Sequence, residues 1–274
     1  MDLYRDKPIA AEVVKTNEMV TLSFESGGVE IAGTVITPDE FAEHVFGAVV
    51  VGPKGSKYRD PKTGADLSNK NAWMADVIID RSVPGHESRP NYRDVALFFQ
   101  DEDNIIGTSF MPYVQNVAGL TGVNYRSEPY KYREEQGCSL GKVFQPCKAD
   151  KPEDPATPII ESHVGDAVRI HVIGASNEQN GMFSVEKHEW PIEPFMRGAD
   201  QISVVEYSGS EVLDAFIPSA GGPSRLPGDY VYSNQRLPYS QSGQWGYLRV
   251  LPAGDQRLLP LNSGLSVPYV QGCP

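Results

Sequence analysis

Glycine and proline interrupt this chain at short intervals, and that spacing limits what the sequence can fold into. There are 26 glycines and 22 prolines among 274 residues. Both residue types favour turns and end helices, so long helices are not expected. Between the turns, apolar and polar residues alternate, as in AVRIHVIG (167–174) and GYLRVLP (246–252). This alternation is typical of strands with one buried face, and about seven such strands predict an all-β Greek-key sandwich.

The limits of this sandwich follow from changes in composition along the chain. Residues 1–60 contain a few short strand-like runs, which predict a partial domain that needs a neighbour, with one helical turn at 37–44. Turn-forming residues dominate the predicted linker, 61–91, and the complete sandwich is expected at 92–252. Residues 253–274 lack hydrophobic periodicity and predict an extended tail that lies on the surface or on a partner.

The charge and hydropathy of the chain argue against two broad functions. Acidic residues outnumber basic ones by 36 to 24, which gives a formal net charge of −12, and the basic residues form no concentrated patch. Nucleic-acid binding is therefore not expected, because contact with phosphates needs such a patch. No apolar run approaches the ~18 residues that cross a bilayer, and the polar N-terminus is unlike a signal peptide. A soluble chain is expected.

Three segments share a pattern with a known family: EHVFGAVVVGPKGSKYRDPKTGA (43–65), VGDAVRIHVIGASNEQNGMFSVEKHEWP (164–191) and PGDYVYSNQRLPYSQSGQWGYLRV (227–250). They resemble the multicopper oxidases, which are built from repeated cupredoxin domains, and the resemblance extends over residues 40–252. It implies cupredoxin-like Greek-key β-sandwich domains, one partial at the N-terminus and one complete. The strand that begins GQWG directly follows the loop that carries the ligands in that family.

The copper ligands of that family do not occur at the corresponding positions. Its last ligand segment reads His-Cys-His, three residues, His, three residues, Gly, and this glycine falls on Gly243. The four ligand positions then fall on Ser233, Asn234, Gln235 and Tyr239. Type 1 copper is held by imidazoles and a thiolate, and none of these side chains supplies either group. The resemblance therefore implies a lost copper site, filled by a polar and aromatic plug.

The other ligand segments of the family are changed in the same way. The segment His-Pro-x-His-Leu-His-Gly-His has its three ligand positions on Gly181, Ser184 and Glu186. The N-terminal segment has no ligand at residues 34–36 or at residue 40. No cofactor is therefore expected, and copper is compatible with this chain only if a partner supplies the ligands. No catalytic residue is assigned.

Five histidines are present, and in strands such residues are more often packed or hydrogen-bonded than bound to metal: His44, His86, His163, His171 and His188. His188 and Glu186 are the candidates for an opportunistic divalent ion, because a histidine among carboxylates can bind one. The favoured alternative is a hydrogen bond between His188 and a glutamate that fixes a strand end, with Trp190 in the core. His171 is predicted at a half-exposed position of its strand.

Other motifs give little indication of chemistry. The acidic run Gln100–Asn104 offers oxygens for calcium but lacks EF-hand spacing, so a solvated turn is expected. The sequence has no Gly-x-Ser-x-Gly and no glycine-rich phosphate loop. Cys138 and Cys147 lie in one proline-containing loop and either form a disulfide or stay as free thiols. Cys273 has no obvious partner within the chain, so it is either free or bonded to another chain.

These observations leave two main functions open. The first is a structural or interaction subunit of a larger assembly, periplasmic or extracellular, without copper sites of its own. Its partners would be other cupredoxin domains or redox subunits, and it could form an oligomer. The second is a part of a working multicopper oxidase that other chains or domains complete, with a phenol or a metal ion as substrate. A calcium- or zinc-stabilised adhesive β-domain is a third alternative.

Overall fold

The computed structural model describes most of the chain from residue 47 onward and one hairpin before it. The described residues are 19–24, 29–34, 47–68, 70–103, 120–135, 142–144, 154–176, 179–194, 196 and 198–261. Within them the chain forms fifteen strands and two short helices. No helix in these ranges is long and apolar enough to cross a membrane. The predicted scarcity of long helices is confirmed for the described residues.

The elements are numbered in chain order. The strands are β1 (Met19–Phe24), β2 (Val29–Thr34), β3 (Lys57–Arg59), β4 (Met74–Ile78), β5 (Tyr92–Asp103), β6 (Leu120–Val123), β7 (Ile159–His163), β8 (Ala167–Ser176), β9 (Gly181–Val185), β10 (Trp190–Pro191), β11 (Gln201–Ile202), β12 (Val204–Tyr207), β13 (Val212–Ile217), β14 (Gly228–Asn234) and β15 (Trp245–Leu251). The helices are α1 (Tyr130–Glu135) and α2 (Leu237–Gln241).

Two mixed sheets form the sandwich. The larger sheet has the order β13-β8-β5-β4-β3, with β6 also paired to β5, and the smaller sheet has the order β12-β9-β14-β15-β7. Most neighbours are antiparallel, but β5 runs parallel to β8 and β15 runs parallel to β7. The chain passes repeatedly from one sheet to the other. This strand order confirms the predicted all-β, cupredoxin-like Greek-key sandwich.

The main core lies between the two sheets, and the alternation in β8 shows how it forms. Val168, Ile170 and Val172 have no exposed surface and belong to this core. Phe183 and Tyr232 of the smaller sheet belong to the same cluster and are also fully buried. Each such side chain stabilises the fold by roughly 1.5–3 kcal/mol through removal of apolar surface from water. The pattern that predicted the strand therefore also predicted its buried face.

The predicted linker contains a strand of the larger sheet. Strand β4, Met74–Ile78, lies inside the expected linker 61–91 and pairs with β5 on one side and with β3 on the other. A strand of five residues among many turn formers has too weak a pattern to be recognised in the sequence. The partial domain expected at 1–60 stays a prediction, and the helical turn at 37–44 lies outside the described residues.

The start of the predicted tail forms turns at 253–254 and 256–257 and lies on the sandwich of its own chain. Residues 255–261 are held there by side chains that donate to their backbone carbonyls. Arg93 donates to the carbonyl of Leu259, and Asn91 donates to that of Leu261, both at 3.0 Å. The anchoring groups come from strand β5 and the residue before it, so the start of the tail is held against the larger sheet.

The acidic run is a strand rather than the predicted turn. Strand β5 continues from Gln100 to Asp103, and Asp103 pairs with Leu120 of β6 after a break in the register. Asn104 lies outside the described residues. The pairing partner is distant in sequence, so a local reading of the carboxylates could not detect it.

Candidate functional site

Several positions on which the resemblance would place copper ligands lie close together at one end of the smaller sheet. Ser233 and Asn234 end strand β14, where they pair with Ser184 and Phe183 of β9. The chain then turns through α2, in which Tyr239 is buried, and returns as β15. Ligand positions that are about fifty residues apart in sequence are thus neighbours in space. The structure brings together most of the residues that the sequence pattern singled out.

Asn234 holds the beginning of this loop and is only 1% exposed. Its Oδ1 accepts hydrogen bonds from the backbone N–H groups of Met182 at 3.0 Å and Arg236 at 3.1 Å. Its Nδ2 donates to Gln244 Oε1 at 2.8 Å and to the Tyr207 hydroxyl at 3.3 Å. A side-chain amide has two acceptor and two donor positions, so the hydrogen-bonding capacity of Asn234 is fully used within the protein.

Two glutamines extend these contacts to the larger sheet. The buried Gln244 donates from Nε2 to the backbone carbonyl of Gln100 at 2.7 Å. Gln100 Oε1 accepts a hydrogen bond from the Tyr125 N–H at 2.9 Å. We call Gln100, Asn234 and Gln244 the amide network. Neither glutamine is recognisable as a site residue from the sequence, because Gln244 lies in a strand pattern and Gln100 in an acidic run.

The ring of Tyr207 fills the space beside Gly181. A Cβ atom at residue 181 would lie 2.2 Å from the Cζ atom of Tyr207 and 2.4 Å from its hydroxyl oxygen. Tyr207 has no exposed surface and packs against Phe99 with ring centroids 5.1 Å apart. No larger side chain fits at residue 181 unless this core ring moves. A glycine inside a strand pattern is a sequence signal for such a close approach.

The remaining positions of the loop also contact one another. Gln235 Nε2 donates to the hydroxyl oxygens of Ser184 and Ser233. The guanidinium of Arg236 lies over the ring of Tyr239, 5.0 Å from its centroid. Amide, hydroxyl and aromatic groups thus meet at this end of the sheet. This donor set does not fit copper, which selects nitrogen of imidazole and sulfur.

His188 and Glu186 were the weak candidates for a metal site, and His188 is 1% exposed. Its Nε2 accepts a hydrogen bond from the Gly221 N–H at 3.0 Å, which leaves the proton on Nδ1. Nδ1 lies 2.7 Å from the Glu186 carbonyl and donates to it. The Glu186 carboxylate accepts from the Val231 N–H at 3.2 Å. With both ring nitrogens engaged, His188 has no lone pair left for a metal ion. It bonds to the backbone of the glutamate rather than to its carboxylate.

The solved structures most similar to this chain in the comparison include copper proteins. McoA, a multicopper oxidase from Aquifex aeolicus, aligns with 69% of this chain and 34% of its own, at 11% identity and a TM-score of 0.38. The multicopper oxidase mgLAC aligns with 67% of this chain and 50% of its own, at 15% identity and a TM-score of 0.37. A copper nitrite reductase from Nitrosomonas europaea aligns with 61% of this chain and 52% of its own, at 11% identity and a TM-score of 0.37.

This chain therefore spans between 34% and 52% of the length of those proteins. No protein-family profile matches the sequence, and neither does any curated protein. The assignment of the fold rests on the strand order of the two sheets.

Within the described residues, no three His, Cys, Asp or Glu side chains are grouped so that they could hold a metal ion. The histidines there have protein partners: His163 Nε2 lies 2.9 Å from the Asp255 carbonyl, and His86 Nδ1 lies 3.2 Å from that of Asp80. His44 lies outside the described residues. So do Cys138, Cys147 and Cys273, and their bonding stays a prediction.

A second polar cluster lies on the outer face of the larger sheet, around His171. This histidine was predicted to be half-exposed, but it is 6% exposed. Nδ1 lies 2.6 Å from Asp214 Oδ1, and Nε2 lies 2.8 Å from Asp94 Oδ1, a contact without hydrogen-bond geometry. Burial alone would lower the pKa of His171, but its contacts with Asp214 and Asp94 outweigh that and raise it to about 9. The imidazolium serves as a structural charge between two carboxylates.

This shifted pKa predicts how stability depends on pH. The folded state keeps a proton that the unfolded chain releases near 6.5, the ordinary pKa of histidine, so stability should fall as the pH rises from there to about 9. The contribution is complete below that window and amounts to at most about 3 kcal/mol. Urea unfolding of the native protein and His171→Gln at about pH 6 and about pH 10 should show a stability difference that shrinks at high pH. A difference independent of pH would contradict the imidazolium.

Proposed function

We propose that this chain is a cupredoxin-like protein that acts as a non-catalytic structural or interaction subunit and holds no copper of its own. The observation that carries this proposal is the amide network, in which Asn234 uses its whole hydrogen-bonding capacity within the protein. A copper ligand needs a free lone pair directed at an open position, and Asn234 offers none. The close packing of Tyr207 on Gly181 also supports it.

The proposal includes a location and a class of partner. We place the protein in the periplasm or outside the cell, in contact with other cupredoxin domains or redox subunits. The support is the resemblance and the spacing of Cys138 and Cys147, which suits a disulfide in an oxidising compartment. The polar side chains of the amide network bond to one another rather than to a ligand. A partner would therefore contact the surface at this end of the sandwich and not a reactive group.

Metal analysis of the purified full chain tests the absence of copper. After incubation with excess Cu(II) or Cu(I) and desalting, we expect far less than one copper per chain and no blue absorption band. A restored variant, Ser233→His with Asn234→Cys, Gln235→His and Tyr239→His, should also fail to form a blue site. The reason is that Asn234→Cys removes four hydrogen bonds that shape the loop, while Tyr207 still fills the adjacent space.

The outcomes separate this proposal from its alternative. Stoichiometric copper with a blue band in the unaltered chain would overturn the proposal. Oxidase activity towards a phenol or a metal ion that appears only when a second chain is added would instead support a part of a working oxidase. Isolation of a complex that contains this chain and its partners, with the mass of each subunit determined and no copper in this one, would support the role proposed here.

A further inference from the structure

The turn between β13 and β14 is held in an unusual backbone conformation. Gly221 and Gly222 have φ values of +88° and +67°, and the non-glycine Arg225 has φ +49°. A left-handed conformation costs a residue with a side chain of the order of 1 kcal/mol or more unless its surroundings hold it. The turn closes on itself through the Leu226 N–H, which donates to the Gly221 carbonyl at 3.1 Å. We call residues 221–226 the strained turn.

Two packed side chains attach the strained turn to the smaller sheet. His188 accepts the N–H of Gly221, and the Tyr230 hydroxyl donates to the Leu226 carbonyl at 2.8 Å. The rings of His188 and Tyr230 contact each other edge to face, with centroids 4.7 Å apart. One aromatic pair therefore anchors both ends of the turn. The preceding residue, Ala220, is fixed separately by backbone bonds to Gly165 and Asp166.

We infer that His188 is a proton-sensitive latch, which holds the strained turn closed while its imidazole is neutral and releases it when the imidazole is protonated. Nε2 receives the Gly221 N–H through its single lone pair. Protonation uses that lone pair, so the bond to Gly221 is lost and two N–H groups face each other. The stored backbone strain then favours opening, which uncovers Tyr230 at the end of the main core.

The charges around the ring do not compensate for a buried imidazolium. Among the described residues, the titratable groups on the elements that contact His188 or the strained turn are Glu186, Lys187 and Glu189 on its own turn, Tyr230 on β14, Arg225 on the strained turn and Asp166 on the β7–β8 turn. Asp166 is paired with Arg93 at 3.0 Å, and the Glu186 carboxylate is bonded to the Val231 N–H. Burial lowers the pKa of His188, and the bond to the Glu186 carbonyl opposes this only in part.

Hydrogen exchange of single amides tests the latch directly. In the unaltered protein, the protection factors of Gly221 and Leu226, corrected for intrinsic exchange, should fall as the pH decreases below about 6.5, by up to about tenfold per pH unit. Core amides such as that of Leu248 should stay protected, which separates local opening from unfolding. The matched variant is His188→Gln, because glutamine keeps one donor and one acceptor but does not titrate in this range. Its protection should be independent of pH.

A second measurement keeps the test decisive if the glutamine variant does not fold. An NMR titration of the unaltered protein should give the same midpoint for the His188 ring and for the Gly221 amide. The inference is overturned if the ring titrates while the protection of the turn stays constant. It is also overturned if the His188→Gln protein shows the same pH dependence as the unaltered protein.

Discussion

Replacement of Arg93 by methionine is expected to destabilise the protein by about 3–5 kcal/mol. Arg93 and Asp76 both have 0% exposed side chains, and Arg93 Nη1 lies 2.6 Å from Asp76 Oδ1. The same guanidinium contacts Asp166 at 3.0 Å and donates to the Leu259 carbonyl. Without it, the buried Asp76 carboxylate keeps the Arg59 guanidinium, at 3.2 Å, as its cationic partner among the described residues, and the tail segment loses an anchor.

The reason for so large an effect is the cost of a buried charge that has lost its partner. Burial already raises the pKa of Asp76, with Arg93 and Arg59 opposing that effect. When Arg93 is removed, the largest single opposing interaction is lost, and the carboxylate must either take up a proton or remain charged at a buried position. The double variant Arg93→Met with Asp76→Leu should therefore be less destabilised than Arg93→Met alone.

Arg249 provides the matched control. It also binds two carboxylates, Asp154 at 2.7 Å and Asp229 at 2.8 Å, but these acids have side-chain exposures of 52% and 39%. Solvent screens such pairs, so Arg249→Met should cost less than about 1 kcal/mol. Urea unfolding at one pH gives the free energy of unfolding of the unaltered protein, Arg93→Met, the double variant and Arg249→Met. Equal losses for Arg93→Met and Arg249→Met would refute the argument from burial.

The predictability of this fold depends on whether a pattern is local. Strand β8 was predicted because Val168, Ile170 and Val172 alternate within a few residues, and the inward face of the sheet shows the same alternation. Strand β4 was missed because its stability comes from pairing with β5, which alternation within five residues does not reveal. The prediction of a turn at the acidic run was wrong for the same reason, because the run is a strand that pairs with β6.

For the candidate site, the loop register indicates the positions of Ser233, Asn234 and Tyr239 but not their individual hydrogen-bond partners. In the structure, Ser233 and Asn234 end strand β14, and Tyr239 lies in α2. The bonding between Asn234 and Gln244 depends on two side-chain rotamers and on the approach of β5 from the opposite sheet. No spacing rule for polar residues encodes such a contact, because a glutamine or asparagine can point either to solvent or to the core.

Introduction of a single methyl group at residue 181 is expected to have the second large effect. Gly181→Ala should destabilise the protein by about 2–3 kcal/mol, because the new Cβ would overlap the ring of Tyr207. Tyr207 cannot swing away freely, since it is fully buried against Phe99 and its hydroxyl accepts from Asn234. The expected loss thus combines overpacking with disturbance of the amide network. Thermal or urea unfolding of the variant measures it.

Two further proteins decide whether the contact with Tyr207 is the cause. Gly47→Ala is the control, because no described atom beyond its chain neighbours lies within 4 Å of a Cβ built there, and its effect should stay within about 0.5 kcal/mol. Tyr207→Leu removes the ring, so the double variant with Gly181→Ala should lose less stability than the sum of the two single changes. Simple additivity would mean that residue 181 and residue 207 do not compete for the same space. In that case the ring of Tyr207 would not exclude a histidine at residue 181, and close packing would no longer be evidence against a ligand at that position.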